Sequence, residues 1–262
     1  MSAHETTGEY TELPVPGVLA DRVDAFWRFV AAPRREGTTP LLQRILPDGC
    51  TDLIVRFPDV RSVGNGTEPR VTLVGPMERF ALMDPEPGSV CLGIRLKPGW
   101  AMALLGVSPK ELRNLSVNVE DCAPAFLHLQ QRLASARSLE HALAMLRDEF
   151  SLRNAHPHHL PSARTAHALH CLQSSSGQMS MSRLARTVGI SERTLHRDIL
   201  EAAGVAPKLL ARVLRFQRAL THLRSGRLDL SALALDCGYA DQSHFTREVR
   251  ELAGVSPTGL LS

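Results

Sequence analysis

Residues 236–250 read Asp-Cys-Gly-Tyr-Ala-Asp-Gln-Ser-His-Phe-Thr-Arg-Glu-Val-Arg, which gathers a thiol, an imidazole, hydroxyls, carboxylates and guanidinium groups in one short run. Two chemistries suit that inventory. A thiol beside an imidazole is a nucleophile–base pair, and Cys, His and Asp are all metal ligands. A second candidate follows the turn Pro47-Asp48-Gly49, where Cys50 stands between Asp48 and Asp52 as a possible nucleophile or acceptor. A third is His156, His158 and His159, but prolines interrupt that run and no Cys or paired carboxylate accompanies it, so it reads as a solvated linker.

The C-terminal run has a paler copy about 50 residues earlier. Ser182, Leu184, Ala185, Val188, Gly189 and Ile190 align with Ser231, Leu233, Ala234, Cys237, Gly238 and Tyr239. After one inserted residue, Leu195, Arg197, Ile199, Gly204, Val205 and Pro207 align with Phe245, Arg247, Val249, Gly254, Val255 and Pro257. One supersecondary unit is used twice. Cys237 falls opposite Val188, so it is a core position, and no spacing completes a triad around it.

Each copy predicts a helix, a sharp turn and a second helix. Ser182 or Ser231 is placed to cap the first helix, whose apolar face is Leu184/Ala185/Val188 or Leu233/Ala234/Cys237. Gly189 or Gly238 supplies the turn, where a positive φ is required, and Ile190 or Tyr239 plugs the corner. Ser191 or Asp241 caps the second helix, which buries Leu195/Ile199 or Phe245/Val249 one turn apart. Its free face carries Arg193, His196 and Arg197, or Gln242, Ser243, Thr246 and Arg247. Arg pairs with guanine and Gln with adenine through two hydrogen bonds each. Pro207 opens a long helix between the copies, with Leu209, Val213, Phe216, Leu220 and Leu223 as its seam, while Arg212, Arg215 and Arg218 point elsewhere.

The front of the chain predicts a different class. A helix is expected around Leu19–Val30, with Val23, Phe26, Trp27 and Val30 on one side, followed by a loop rich in Pro, Gly and Thr. Alternation at Leu53, Val55 and Phe57, with "RVTLVGPM" and "SVCLGIRLKPG", predicts a small antiparallel sheet over roughly 41–98. Short helices are expected from Trp100 to a stop near Gly106 and over Pro109–Leu115, then longer ones through Phe126, Leu129, Leu133 and through Leu139, Leu143, Leu146, Phe150. Arg95 is expected in a structural ion pair, and Trp27 and Trp100 in aromatic packing. The result is a multidomain chain: an α+β unit over 1–153, a linker over 154–163, and an all-α unit over 164–262 with helical pairs at 180–200 and 230–252 joined by a helix at 207–224.

Composition fits this division. The 262 residues are 44% hydrophobic and 22% charged, an ordinary globular balance. The five cysteines are scattered without a Cys-x-x-Cys pair, which argues against a disulfide framework or a structural zinc site. No apolar run has membrane-spanning length and the N-terminus lacks a signal-peptide core, so a cytoplasmic location is expected. From Leu160 onward there are 13 Lys/Arg and 8 Asp/Glu, an excess of +5 against −2 for the remainder, which suits a polyanion partner.

The stretch "ALALDCGYADQSHFTREVRELAGVSP" resembles the signature of AraC/XylS-family bacterial transcription regulators, and the likeness runs from roughly Arg164 to Leu261. The resemblance implies a double helix-turn-helix that holds two reading helices in successive major grooves of double-stranded DNA. It implies base-edge roles for Glu192, Arg193, His196, Arg197, Gln242, Ser243, Thr246 and Arg247, and phosphate contacts for Ser191, Thr194 and His244. Asp198 departs from the apolar residue often found there. The front half, through "LPDGCTDLIVRF", "VGPM" and "GIRLKPGWAMALLGVSPKELRN", resembles more loosely a sensor-like, cupin-like domain that accompanies some of these regulators. RNA polymerase, a small-molecule effector of unknown identity and a second copy of the chain are the further partners implied, at the nucleoid. No catalytic residue, cofactor or metal is expected. The competing reading is a DNA-targeted repair or modifying protein centred on Cys50.

Overall fold

A computed structural model describes residues 8–34, 42–226 and 229–261. The Pro/Gly/Thr-rich loop expected near residues 31–41 falls largely outside the described residues. Six strands form one antiparallel sheet in the order β1 (Gly8–Leu13), β2 (Val23–Ala31), β7 (Val90–Leu96), β4 (Thr51–Phe57), β5 (Arg70–Val74), β8 (Ser116–Asn118). A separate two-stranded ribbon pairs β3 (Gln43–Ile45) with β6 (Ala81–Met83). The helices α1 (Ala101–Leu105), α2 (Val119–Cys122), α3 (Leu127–Ala134) and α4 (Leu139–Ala155) follow.

The expected α+β order holds, with two corrections. Residues 19–30 are not a helix: a 3-10 turn at Gly17–Leu19 leads into the nine-residue strand β2. Val23, Phe26, Trp27 and Val30 fit a helical stripe as well as a strand buried on both faces, and pairing decides between them. Phe26 and Trp27 point to opposite sides, and β2 pairs with β7 from Val23 to Val30 and with β1 from Phe26 to Ala31. Residues 109–115 are turns, and the backbone groups at the end of the segment are bonded outside it. Leu115 O accepts from Gly75 N at 3.0 Å, and Asn114 N, at a left-handed φ of 59°, donates to Pro76 O at 3.0 Å. The sheet also reaches beyond 41–98 at both ends, through β1, β2 and β8.

One face of the sheet packs Phe26, Leu53, Val55, Leu73, Leu92 and Ile94 against Leu104, Phe126, Leu129, Leu133, Leu146 and Phe150 of the helices. The other face carries Trp27, Phe29 and Ala31 with Ile54 and Cys91. Trp27 lies across Gly93, where an added Cβ would sit 2.0 Å from the indole. That approach lets the indole N–H donate to Asp52 at 2.9 Å.

The remaining helices are α5 (Ala163–Ser174), α6 (Met181–Val188), α7 (Glu192–Ala203), α8 (Pro207–Arg224), α9 (Leu230–Asp236) and α10 (Gln242–Ala253). They bury two cores. Leu169, Leu172, Leu184, Leu195, Ile199 and Leu210 form one; Val213, Phe216, Leu223, Leu233, Phe245 and Val249 form the other. Helix α8 supplies residues to both, and that sharing joins the two copies. Gly93→Ala is expected to displace Trp27 and lower stability by about 1–3 kcal/mol, read from the urea-unfolding midpoint against wild type.

Candidate nucleic-acid interface

The two copies fold as two helix-turn-helix units, α6–α7 and α9–α10. The first helix of each begins two residues earlier than the hydroxyl pattern suggests. Ser180 Oγ, not Ser182, accepts from Arg183 N, and Asp229, not Ser231, accepts from the amides of Ser231 and Ala232. Met181 and Leu230 already have helical backbone, so Ser182 and Ser231 lie inside the helices, too late to reach the free amides. The turns follow the sequence: Gly189 (φ 70°) and Gly238 (φ 82°) are left-handed, Tyr239 is buried and Ile190 packs half-buried on the first core.

Both second helices are capped where expected. Ser191 Oγ accepts from Thr194 N at 3.1 Å, and Asp241 Oδ1 accepts from His244 N at 2.7 Å. These caps leave the helix N-termini, with their partial positive charge, facing outward beside exposed side chains. On α7, Glu192, Arg193, His196 and Arg197 are exposed and Thr194 is half-buried. On α10, Gln242, Ser243 and Arg247 are exposed, while Thr246 and His244 are half-buried. Leu195, Ile199, Phe245 and Val249 turn inward as the spacing requires.

Several of these side chains already have partners. Asp198 pairs with Arg197 at 2.9 Å across an exposed edge, an interaction of about 0–1 kcal/mol that a phosphate or base can replace. Gln242 Oε1 accepts from Ser231 Oγ at 2.8 Å, which orients its amide. The His244 imidazole meets Tyr239 edge-on at 5.4 Å, and its Nδ1 lies 3.3 Å from the Ala240 amide.

Arg212 and Arg215 of α8 point inward onto α10. Arg212 Nε donates to Glu248 at 2.7 Å and its Nη2 to Glu251 at 2.6 Å; Arg215 lies 3.6 Å from Glu248 and donates to Gly177 O at 3.0 Å. Glu248 is buried, with 8% of its surface exposed. The sequence reading did not single it out, although a carboxylate three residues after Phe245 and four before Leu252 stands on the apolar face of α10 and is the usable signal.

At the front of the chain, Asp48, Asp52 and Glu12 surround Arg95 at 3.0, 3.5 and 3.8 Å. Asp48 also accepts from Cys50 N at 2.9 Å, which builds the turn. Burial, with Asp48 and Asp24 nearby, holds the Cys50 thiol well above its usual range. A reactive cysteine needs the opposite shift. Burial likewise pushes Asp52 up to about 7, against the lowering influence of Arg95. Among the described residues no group of His, Cys, Asp and Glu is arranged to hold a metal, and no helix is long and apolar enough to cross a membrane.

Residues 184–262 match a family described as a helix-turn-helix domain. The HTH-type transcriptional activator RhaS of Escherichia fergusonii is 33% identical over 79 residues, 30% of this chain and 28% of that protein. The C-terminal region is an AraC-type helix-turn-helix domain. Another relative of this region is the invasion protein InvF of Salmonella typhi, 35% identical over 88 residues, 34% of this chain and 40% of that protein. The chain thus aligns with less than half the length of these relatives. Ahead of the AraC-type region, residues 11–118 match a domain of unknown function, DUF6597. The solved structure of ToxT from Vibrio cholerae aligns over 98% of both chains at 12% identity with a TM-score of 0.48.

Asp241→Ala removes the cap of α10 and is expected to cost about 1 kcal/mol, read by urea unfolding. A pH series tests Asp52. Its folded pKa of about 7 exceeds the ~3.9 of an unfolded Asp, so the native state binds the extra proton between those values. Wild-type stability should therefore fall, relative to Asp52→Asn, as the pH rises from about 4 to about 7, and level off above. Parallel melting-temperature profiles of the two proteins would remove this assignment.

Proposed function

We propose that this chain is a sequence-specific DNA-binding transcriptional regulator that reads two successive major grooves with α7 and α10, under the influence of its N-terminal domain. The observation that carries the reading is the pair of capped helices with exposed Arg193, His196 and Arg197 on one and Gln242, Ser243 and Arg247 on the other. Guanine N7 and O6 suit the arginines, and adenine suits the Gln242 amide. The Ser231 hydroxyl uses one lone pair of the Gln242 oxygen and leaves the second for an adenine amino group. Ser191 and Thr194, at the N-terminus of α7, are placed for phosphate. His244, half-buried in the first turn of α10, takes the same role there in exchange for the 3.6 Å approach of its Nε2 to Glu248.

The 18 residues of α8 give a rod of about 27 Å, comparable to the ~34 Å repeat of one turn of DNA. The description of RhaS as a transcriptional activator supports the regulatory reading. RNA polymerase and a small-molecule effector are the partners that go with it. A repair reading centred on Cys50 has no support in a buried thiol whose pKa is raised.

Selecting bound duplexes from a random pool with the full chain tests the proposal. One site with two boxes about one helical turn apart is expected, and binding no tighter than to random DNA would refute it. On the selected site, Arg247→Ala and Arg193→Ala should each cost about 1–3 kcal/mol and relax preference at one position. A uniform loss across all sequences would reassign those side chains to phosphate. Affinity should fall steeply with salt as counterions are released.

A further inference from the structure

The C-terminal ends of both reading helices abut the N-terminal domain. Helix α10 ends at Ala253 with Gly254 in the left-handed region, and carbonyls in its last turn lack partners within the helix. Two are met from the other domain. Leu252 O accepts from Phe80 N at 2.9 Å, and Ala253 O accepts from Arg44 Nη1 at 2.7 Å. The Arg44 guanidinium lies 4.6 Å from the centre of the Phe80 ring, and that ring packs on Gly254. A cation there also faces the negative end of the helix dipole. Pairing of β3 with β6 sets Arg44 opposite Leu82, which holds the two contributors side by side.

The segment carrying Phe80 reaches the first reading helix as well. Gly204, at the C-terminal end of α7, lies against Pro76 and the Pro109 carbonyl, and Lys110 pairs with Glu201 of α7 at 3.2 Å. Residues 76–80 therefore span both helix ends. Their backbone is braced: Asn114 N donates to Pro76 O, and the Asn114 amide both accepts from Glu78 N at 2.8 Å and donates to the Glu78 carboxylate at 3.1 Å. Between the two heads, Gln217 of α8 donates to Pro47 O at 2.6 Å. The exposed residues Arg193, Gln242 and Arg247 are untouched by these contacts, so the domain holds the reading heads from behind without covering their faces.

We propose that the N-terminal domain is a splint that fixes the offset between the two reading helices, with Arg44 as its positioning residue. The inference rests on the two-groove reading above. A head pinned at its C-terminal end presents its N-terminal residues at one distance from the other head, and so favours one spacing between the two DNA boxes. Without the Arg44 cap, α10 can tilt on its own core and tolerate other spacings.

The test uses the full chain, Arg44→Ala and Arg44→Lys, with duplexes carrying the site selected by wild type and versions in which the boxes are one base pair closer or farther. Wild type should lose about tenfold in affinity at either altered spacing. Arg44→Ala should flatten that loss to under about threefold, with affinity for random duplex changed by less than about twofold, and Arg44→Lys should restore most of the discrimination. An unchanged spacing profile in folded Arg44→Ala overturns the proposal. So does tighter binding at every spacing, which would make the contact autoinhibitory. Amide exchange at Phe80 reads the clasp without DNA: about tenfold faster exchange in Arg44→Ala is expected, and unchanged exchange overturns it. A wild type that shows no preference for the selected site over random DNA sinks the two-groove reading and the spacing role with it, while the Phe80 amide still reports whether Arg44 holds α10.

Discussion

A buried carboxylate between two guanidinium groups governs how the C-terminal half is put together. Glu248 lies on the inner face of α10, with Arg212 at 2.7 Å and Arg215 at 3.6 Å, both from α8. Removing one partner of such a set leaves charge stranded away from water, at a cost of about 3–5 kcal/mol. The arrangement therefore specifies how α10 is rotated against α8 more sharply than its apolar neighbours can. Phe245, Val249 and Leu252 would tolerate a small slide along Val213 and Phe216; a two-point ionic contact would not. Arg215 also holds Gly177 O in the loop before α6, so the same side chain links the second unit to the first.

Helix α8 carries that orientation across the whole C-terminal half. Leu210 and Ala211 belong to the core of the first unit, and Val213 and Phe216 to that of the second. Successive turns of one rigid helix thus serve two cores, and neither unit can move without straining the other. The ends of the reading helices are treated differently. Their N-termini are each closed by a local side chain, Ser191 or Asp241, which is itself exposed to solvent. Their C-termini are packed against Pro76, Phe80 and Pro109. The positive ends of the dipoles remain available to an anion, while the carbonyl ends meet protein.

Much of this was legible because the sequence repeats. Aligning the copies turned Cys237 into a counterpart of Val188 and assigned Leu195/Ile199 and Phe245/Val249 to the interior, and the structure buries all five. Where no copy existed, periodicity alone was less decisive. Val23, Phe26, Trp27 and Val30 satisfy a helical stripe, yet the segment is a strand enclosed on both faces, a case in which the two periods cannot be separated. Residues 109–115 have adequate helix formers, but Asn114 and Leu115 spend their backbone groups on Gly75 and Pro76. The caps of α6 and α9 were each misplaced by two residues, because Ser180 and Ser182, or Asp229 and Ser231, are equally good cap types and only the helix start distinguishes them.

The sequence by itself determined the elements governed by short-range rules: the left-handed turns at Gly189 and Gly238, the caps at Ser191 and Asp241, the Pro207 start of α8 and the alternation of β4. Each depends on the conformational preferences of a few adjacent residues. Only the tertiary structure decided which long-range partners those elements met. Arg44 and Ala253 are 209 positions apart, and nothing local to either one records the other. Arg95 showed its charge in the sequence but not its three carboxylates, and Glu248 showed its position but not its two arginines. Local geometry follows from residue type, whereas a contact between distant residues exists only once two folded surfaces have been brought together.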